Sequence, residues 1–193
     1  VADHTLMMAL ALARKAPVLH AALRRGVYER GLASPMPAPY EMTIGLIAFG
    51  EIGREVAVRA KPFGFTVMAH DPFVAPAVAE RHGGALVGLD DLLRRSDIVS
   101  VHAPLSKQTF HLLGAREFGL MKRTAYVINT ARGAVIDQQA LIEALQSGRI
   151  AGAGLDVFER EPLDADSPLV DLYPFIFGSD ASAFFNTITG YSE

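Results

Sequence analysis

Residues 43–71, TIGLIAFGEIGREVAVRAKPFGFTVMAHD, constrain this chain more than any other stretch. Thr43–Ile47 is a short apolar run that ends at a turn, Ala48-Phe49-Gly50-Glu51-Ile52-Gly53. A helical pattern follows, with Ile52, Val56, Ala60 and Phe63 on one stripe and Arg54, Glu55 and Arg59 off it. Gly64 closes that helix, residues 65–69 read as a second buried strand, and Asp71 comes just after it. Strand, glycine turn, helix, strand and acid is the order of a dinucleotide-binding unit. Its helix N-terminus offers amide N–H groups to a pyrophosphate, and its acid bonds ribose hydroxyls. Ala48 stands where that fingerprint has its first glycine, which leaves Gly50 and Gly53. Alanine is expected to fit there only if its backbone avoids positive φ. Glu51 puts a carboxylate beside the anion position, favourable to the helix dipole and opposed to a phosphate. The competing reading of these residues is an α/β crossover that binds nothing.

The rest of the chain repeats the strand–helix alternation. Residues 75–82 suit a short helix ending at Gly83-Gly84, and 85–87 a third strand. Residues 90–95 form a helical turn and Ile98–Val101 a strand leaving at His102-Ala103-Pro104. Residues 118–121 belong to a short helix, and 125–129 to a strand that exits into Thr130-Ala131-Arg132-Gly133. Asp137 caps a helix with Leu141, Ile142 and Leu145 inward and Gly148 as its stop, before a small-residue strand at 151–155 that leaves at Asp156. Alternation of this kind predicts a doubly wound parallel sheet of the Rossmann type. Ahead of it, Asp3 is expected to cap an apolar helix reaching Lys15, and a second helix runs over 18–25 after Pro17. Residues 31–39 are a proline-rich linker. On this reading 1–39 is a helical lead-in and linker, 40–180 the sheet core, and 181–193 an atypical tail.

In such a sheet, ligands bind beyond the carboxyl ends of the strands. The strand exits therefore nominate the site: residues 48–53, Asp71, 102–104, 130–132, and Asp156 with the loop to Glu161. An arginine, carboxylates and an imidazole gathered on one rim serve no purely structural sheet, so Arg132 and Glu161 together point to function. His102 reads instead as a satisfied strand-end histidine.

Composition excludes other classes. The net charge of −3 gives no reason to expect nucleic acid or an anionic membrane as partner. The sequence has no cysteine, so it offers no disulfide, thiolate chemistry or cysteine-bound metal, and no metal site is expected. A cytoplasmic setting is compatible with that. The opening, Val1-Ala2-Asp3-His4, reads as a helix that has lost whatever preceded it, because Arg14 and Lys15 follow the apolar run where a signal peptide would have its basic residues first.

AFGEIG, VHAPLSKQTFHLLG, VINTARGAVID and GLDVFEREP resemble the NAD-binding domain of the D-isomer-specific 2-hydroxyacid dehydrogenases, over roughly residues 1–172. The resemblance implies NAD as cofactor and a small 2-hydroxy or 2-keto acid as substrate. It places Gly50, Glu51, Ile52 and Gly53 at the pyrophosphate, Asp71 at the adenosine ribose, and Ala103 and Pro104 on the adenine side. Thr130, Ala131 and Arg132 would pass beside the nicotinamide, with Asp156 bonding its carboxamide. Arg132 would also grip the substrate carboxylate, and Glu161 would hydrogen-bond a proton-shuttling histidine. The first helix resembles one that packs across a homodimer interface in the family.

This sequence departs from the family at that histidine, where the alignment puts Asp180, with Ser179 in place of the preceding proline. The family's second domain, the other wall of the cleft, is not in the sequence. Two readings follow: the cofactor domain of an NAD-dependent oxidoreductase, or a module that holds NAD without turnover. A methyltransferase on the same fold is disfavoured by NTARG and DVFEREP.

Overall fold

The computed structural model describes residues 1–172. Asp180, Ser179 and the atypical tail lie outside the described residues. Strands β1 (Thr43–Ile47), β2 (Thr66–His70), β3 (Gly84–Leu86), β4 (Ile98–Val101), β5 (Tyr126–Asn129) and β6 (Gly152–Leu155) form a six-stranded sheet in the order β3-β2-β1-β4-β5-β6. Every pairing is parallel. Helices α1 (Ala2–Ala13), α2 (Ala16–Arg24), α3 (Glu51–Ala60), α4 (Pro76–Arg81), α5 (Leu89–Arg95), α6 (Ala115–Leu120), α7 (Gln138–Gln146) and α8 (Pro168–Asp171) accompany it.

Strand side chains alternate between two cores, one on each face. Ile44, Leu46, Val67, Ala69, Ile98 and Ile128 face α1, α3 and α4, where they meet Leu6, Met8, Leu12, Val56, Ala57 and Ala79. Ile47, Val99, Val101, Val127, Ala153 and Leu155 face the other way, against Leu92, Leu93, Phe118, Leu141 and Ile142. Burial on both sides explains why the strands read as unbroken apolar runs rather than alternating ones. Because α1 touches α3, β5 and β6, the first helix is a full member of one layer.

The order reverses at β1. From there the chain winds outward through β2 and β3, then returns to lay β4 on the other side of β1. Asp71 follows β2 and Arg132 follows β5, so they flank the crevice between β1 and β4 symmetrically and on the same end of the sheet. Three strand spacings separate their strands, roughly 14 Å at the usual interstrand distance.

Several local expectations are corrected. Ala48 does take a positive φ, +68°, with its N–H donating to the His70 carbonyl at 2.9 Å. The ladder to β2 fixes the turn and overrides the residue's own preference. Asp3 does not cap α1, whose N-cap is Val1; its carboxylate instead meets Arg59 on α3. Pro17 does not delay α2 but sits in its first turn, where a missing N–H is harmless. The inward face of α3 is Gly53, Val56, Ala57 and Ala60, while Ile52 and Phe63 are exposed. Asp137 caps α7 as expected, accepting from the Ala140 N–H at 3.0 Å.

Candidate active site

The turn after β1 and the start of α3 are built for close approach. A Cβ on Gly53 would lie 2.5 Å from the Ala48 carbonyl oxygen, so glycine lets the helix start directly against the turn. A Cβ on Gly50 would meet nothing within 4 Å. Packing among the described residues does not require glycine there, and the space beside it is open. Gly50 is the N-cap of α3, and Arg54 is the first residue whose N–H returns to the Gly50 carbonyl. The amides of Glu51, Ile52 and Gly53 are therefore left for an outside acceptor. Glu51 and Ile52 are exposed at this end.

Asp71 is tied to the same turn. Its Oδ2 accepts from the Phe49 N–H and its Oδ1 from the Phe73 N–H, both at 2.8 Å. A carboxylate has about four acceptor positions, so each oxygen keeps capacity for a ribose hydroxyl.

Beyond β4, Ala103 is buried and Pro104 exposed. His102 is the expected strand-end histidine only on one side: Nε2 meets the Ser100 hydroxyl at 3.1 Å, whereas Nδ1 is enclosed without a hydrogen-bond partner among the described residues. Burial pushes its pKa down to about 4, so the ring is neutral near pH 7.

The turn after β5 is shaped by a residue the spacing did not single out. Asn129, buried at the strand end, accepts from the Ala131 N–H at 3.0 Å and donates to the Arg132 carbonyl at 2.9 Å. That bracket pins the backbone and leaves the Arg132 side chain exposed, with a bond to the Ala131 carbonyl at 2.6 Å as its one hydrogen bond among the described residues. Thr130 is buried, its hydroxyl sharing a 3.1 Å hydrogen bond with that of Thr5 on α1.

After β6, Asp156 lies beside α1, its Oδ1 3.5 Å from His4 Nε2. Glu161 folds back on its own loop, accepting from the Phe158 N–H at 2.9 Å, and is exposed. No hydrogen bond or ion pair joins Arg132 and Glu161 among the described residues. The loops that carry them nevertheless touch: a Cβ on Gly133 would lie 1.8 Å from the Phe158 carbonyl oxygen. His111, itself at φ +52°, pairs with Glu159 and faces Asp137 at 3.7 Å, tying the loop after β4 to both. His111 and Glu159 carried no spacing signal. Among the described residues, no group of three or more His, Asp or Glu could hold a metal ion, and no single helix is long and apolar enough to cross a membrane.

The cavity between these loops, lined by Asn129, Gly133, Leu155, Val157, Phe158 and Glu159, is only about 10 Å³. Enclosed ligand sites usually run to hundreds of cubic ångströms, so this gap holds no dinucleotide, which would lie instead along the ledge of strand ends. Free helix amides, the gap above Gly50 and spare acceptors on Asp71 all fit such a molecule.

The model of the NAD-binding domain of D-isomer specific 2-hydroxyacid dehydrogenases matches residues 6–179. The chain belongs to that family. Among curated dehydrogenase relatives, D-3-phosphoglycerate dehydrogenase of Methanocaldococcus jannaschii is 42% identical over 173 residues, covering 89% of this chain and 33% of that protein. Glyoxylate reductase of Thermococcus litoralis is 41% identical over 167 residues, covering 83% of this chain and 50% of the reductase. Among solved structures, D-lactate dehydrogenase of Lactobacillus jensenii with NAD+ superposes with a TM-score of 0.83 at 34% identity, over 95% of this chain and 58% of that one. Granulicella formate dehydrogenase gives 0.86 at 29% identity, over 94% and 50%. The chain thus spans about a third to a half of the length of the curated dehydrogenases it matches. Its cofactor is NAD, and the sheet is the Rossmann type expected from the strand–helix alternation.

Proposed function

We propose that this chain is the cofactor-holding part of an oxidoreductase acting on a D-2-hydroxy acid and its 2-keto acid. The observation that carries this reading is the placement of Arg132: exposed, on a turn pinned by Asn129, across the crevice from the Asp71 end of the ledge. NAD, when bound, supplies the carbon that gives or takes the hydride. The amides at the start of α3 would take the pyrophosphate, Asp71 the adenosine ribose, and Ala103 with Pro104 would line the adenine. Thr130 and Ala131 would back the nicotinamide half, and Asp156 would accept from the carboxamide. The Arg132 guanidinium would clamp the substrate carboxylate through its fork of donors and so fix the C2 carbon for hydride transfer. Glu161 would serve the proton step at the C2 oxygen, where the family pairs it with the histidine that the alignment replaces here by Asp180. The exposed apolar side chains Met7, Leu23 and Tyr28 on and after the first helices support a homodimer contact there.

A second reading, an NAD-binding module without turnover, is favoured by the Glu51 carboxylate at the pyrophosphate position and by the departure at Asp180. One assay separates them: NADH oxidation with glyoxylate or hydroxypyruvate, run beside an NADH titration. With no tryptophan in the sequence, NADH's own emission or calorimetry reports binding. Turnover of either keto acid removes the module reading; micromolar binding without turnover supports it. If NADH does not bind, Ala48→Gly with Glu51→Arg is expected to restore binding, and continued failure would clear those two residues.

A further inference from the structure

Asp156 and His4 are 152 residues apart in sequence and face each other across the β6–α1 contact, Oδ1 to Nε2 at 3.5 Å. The Asp156 side chain is only 18% exposed, and its Oδ1 is enclosed and accepts no hydrogen bond among the described residues. An enclosed carboxylate oxygen without a donor is costly, and the His4 ring nitrogen lies within 3.5 Å of it. The next residue of the same helical turn, Thr5, holds Thr130 through the 3.1 Å hydroxyl contact. The first turn of α1 therefore backs the ends of β5 and β6 together. The backbone side of Asp156 is already fixed, since its N–H donates to the Asn129 carbonyl at 2.9 Å, so only the carboxylate's rotation is left to set.

We infer that His4 is a positioning residue: it holds Oδ1 of Asp156 and thereby aims the remaining oxygen at the nicotinamide carboxamide. The inference rests on the cofactor reading above. A 3.5 Å separation is long for a hydrogen bond and shortens when the second oxygen gains its own donor, as contacts in ligand-free sites commonly do. His4 touches no cofactor atom in this scheme. Its effect is confined to the nicotinamide end, because Asp156 follows β6 whereas Asp71 follows β2 on the other half of the sheet.

That confinement gives the test. The dissociation constants of NADH and of ADP-ribose, which lacks the nicotinamide, are measured by calorimetry on the whole chain and on His4→Ala, His4→Gln and Asp156→Ala. His4→Ala should weaken NADH about tenfold, the scale of one net hydrogen bond, and leave ADP-ribose within about twofold. His4→Gln, which keeps an N–H donor, should recover most of the loss. In the Asp156→Ala background, His4→Ala should cost nothing further, because the carboxylate it served is gone. Should His4→Ala not fold, His4→Phe keeps a ring without either nitrogen and takes its place under the same expectations. Equal weakening of both ligands means a merely structural helix contact and overturns the inference; so does unchanged NADH affinity, or a full tenfold effect without Asp156. A wild-type chain that binds neither ligand overturns the cofactor reading and this inference with it, whereas binding of both isolates the question to His4.

Discussion

Gly133 lies so close to Phe158 that a Cβ on the glycine would sit 1.8 Å from the phenylalanine's carbonyl oxygen, backbone against backbone. Arg132 precedes that glycine, and Glu161 is three residues beyond Phe158, bonded back to its amide. Two loops from different strands are thereby held at one separation, with Gly133 as the spacer between an arginine and an acid that share no hydrogen bond or ion pair among the described residues. Gly133→Ala must push the loop at 157–161 aside. It is expected to lose at least about 2 kcal/mol in urea unfolding, the scale of overpacking a filled site. Wild-type stability in Gly133→Ala would mean that the loops are not in contact in solution.

Gly50 is the counterpart. Its missing Cβ faces open space, so Gly50→Ala is expected to change unfolding stability by under about 1 kcal/mol, mostly through the weaker N-cap. NADH affinity should nevertheless fall more than tenfold, because the methyl group takes the room through which a pyrophosphate reaches the helix amides. Retained affinity in that variant would place the phosphates elsewhere.

Ala48 holds φ +68°, a conformation that costs an alanine about 1–2 kcal/mol relative to the right-handed region. Ala48→Gly removes that strain and adds some freedom to the unfolded chain, for a net gain of about 0.5–1 kcal/mol in unfolding free energy. A destabilised Ala48→Gly would show that the alanine methyl, partly buried against the core beyond β4 and β5, contributes more than the strain takes away.

His102 links folding to pH. Its pKa in the folded chain, about 4, lies below the unfolded value of 6.5, so the unfolded chain binds the proton first. The stabilisation is therefore complete above pH 6.5 and is lost as pH falls toward 4, by up to roughly 3 kcal/mol at 1.36 kcal/mol per unit. Between pH 7 and 4, the wild type should lose that much more unfolding free energy than His102→Gln. Parallel pH profiles for the two proteins would mean that the ring is not enclosed.

The sheet was legible because burial on both faces writes strands as unbroken apolar runs, and Ile98–Val101 needed no other signal. The rim was legible for a topological reason: strand exits in a parallel sheet converge wherever the order reverses, and Asp71 and Arg132 both sit at exits. Conformations and contacts imposed from a distance were not. Ala48 takes positive φ because of its ladder bond to His70, which no local preference reveals. Asp3 looks like a cap in sequence, yet its charge is claimed by Arg59, 56 residues on. Ile52 and Phe63 fit a helical stripe, but Gly53 and Ala57 bring the helix so close to the sheet that the buried face rotates toward the small residues. Asn129, Gly133 and His4 escaped for a shared reason. Each acts on a backbone or carboxylate brought near by the fold, and none belongs to a spacing that chemistry would require.

A crystal structure of the chain grown with NAD tests the central claim most directly. The pyrophosphate is expected at the amides of residues 50–53, a ribose on Asp71, and the nicotinamide between Arg132 and Asp156. Dinucleotide bound anywhere else, with that ledge empty at saturating NAD, would contradict it.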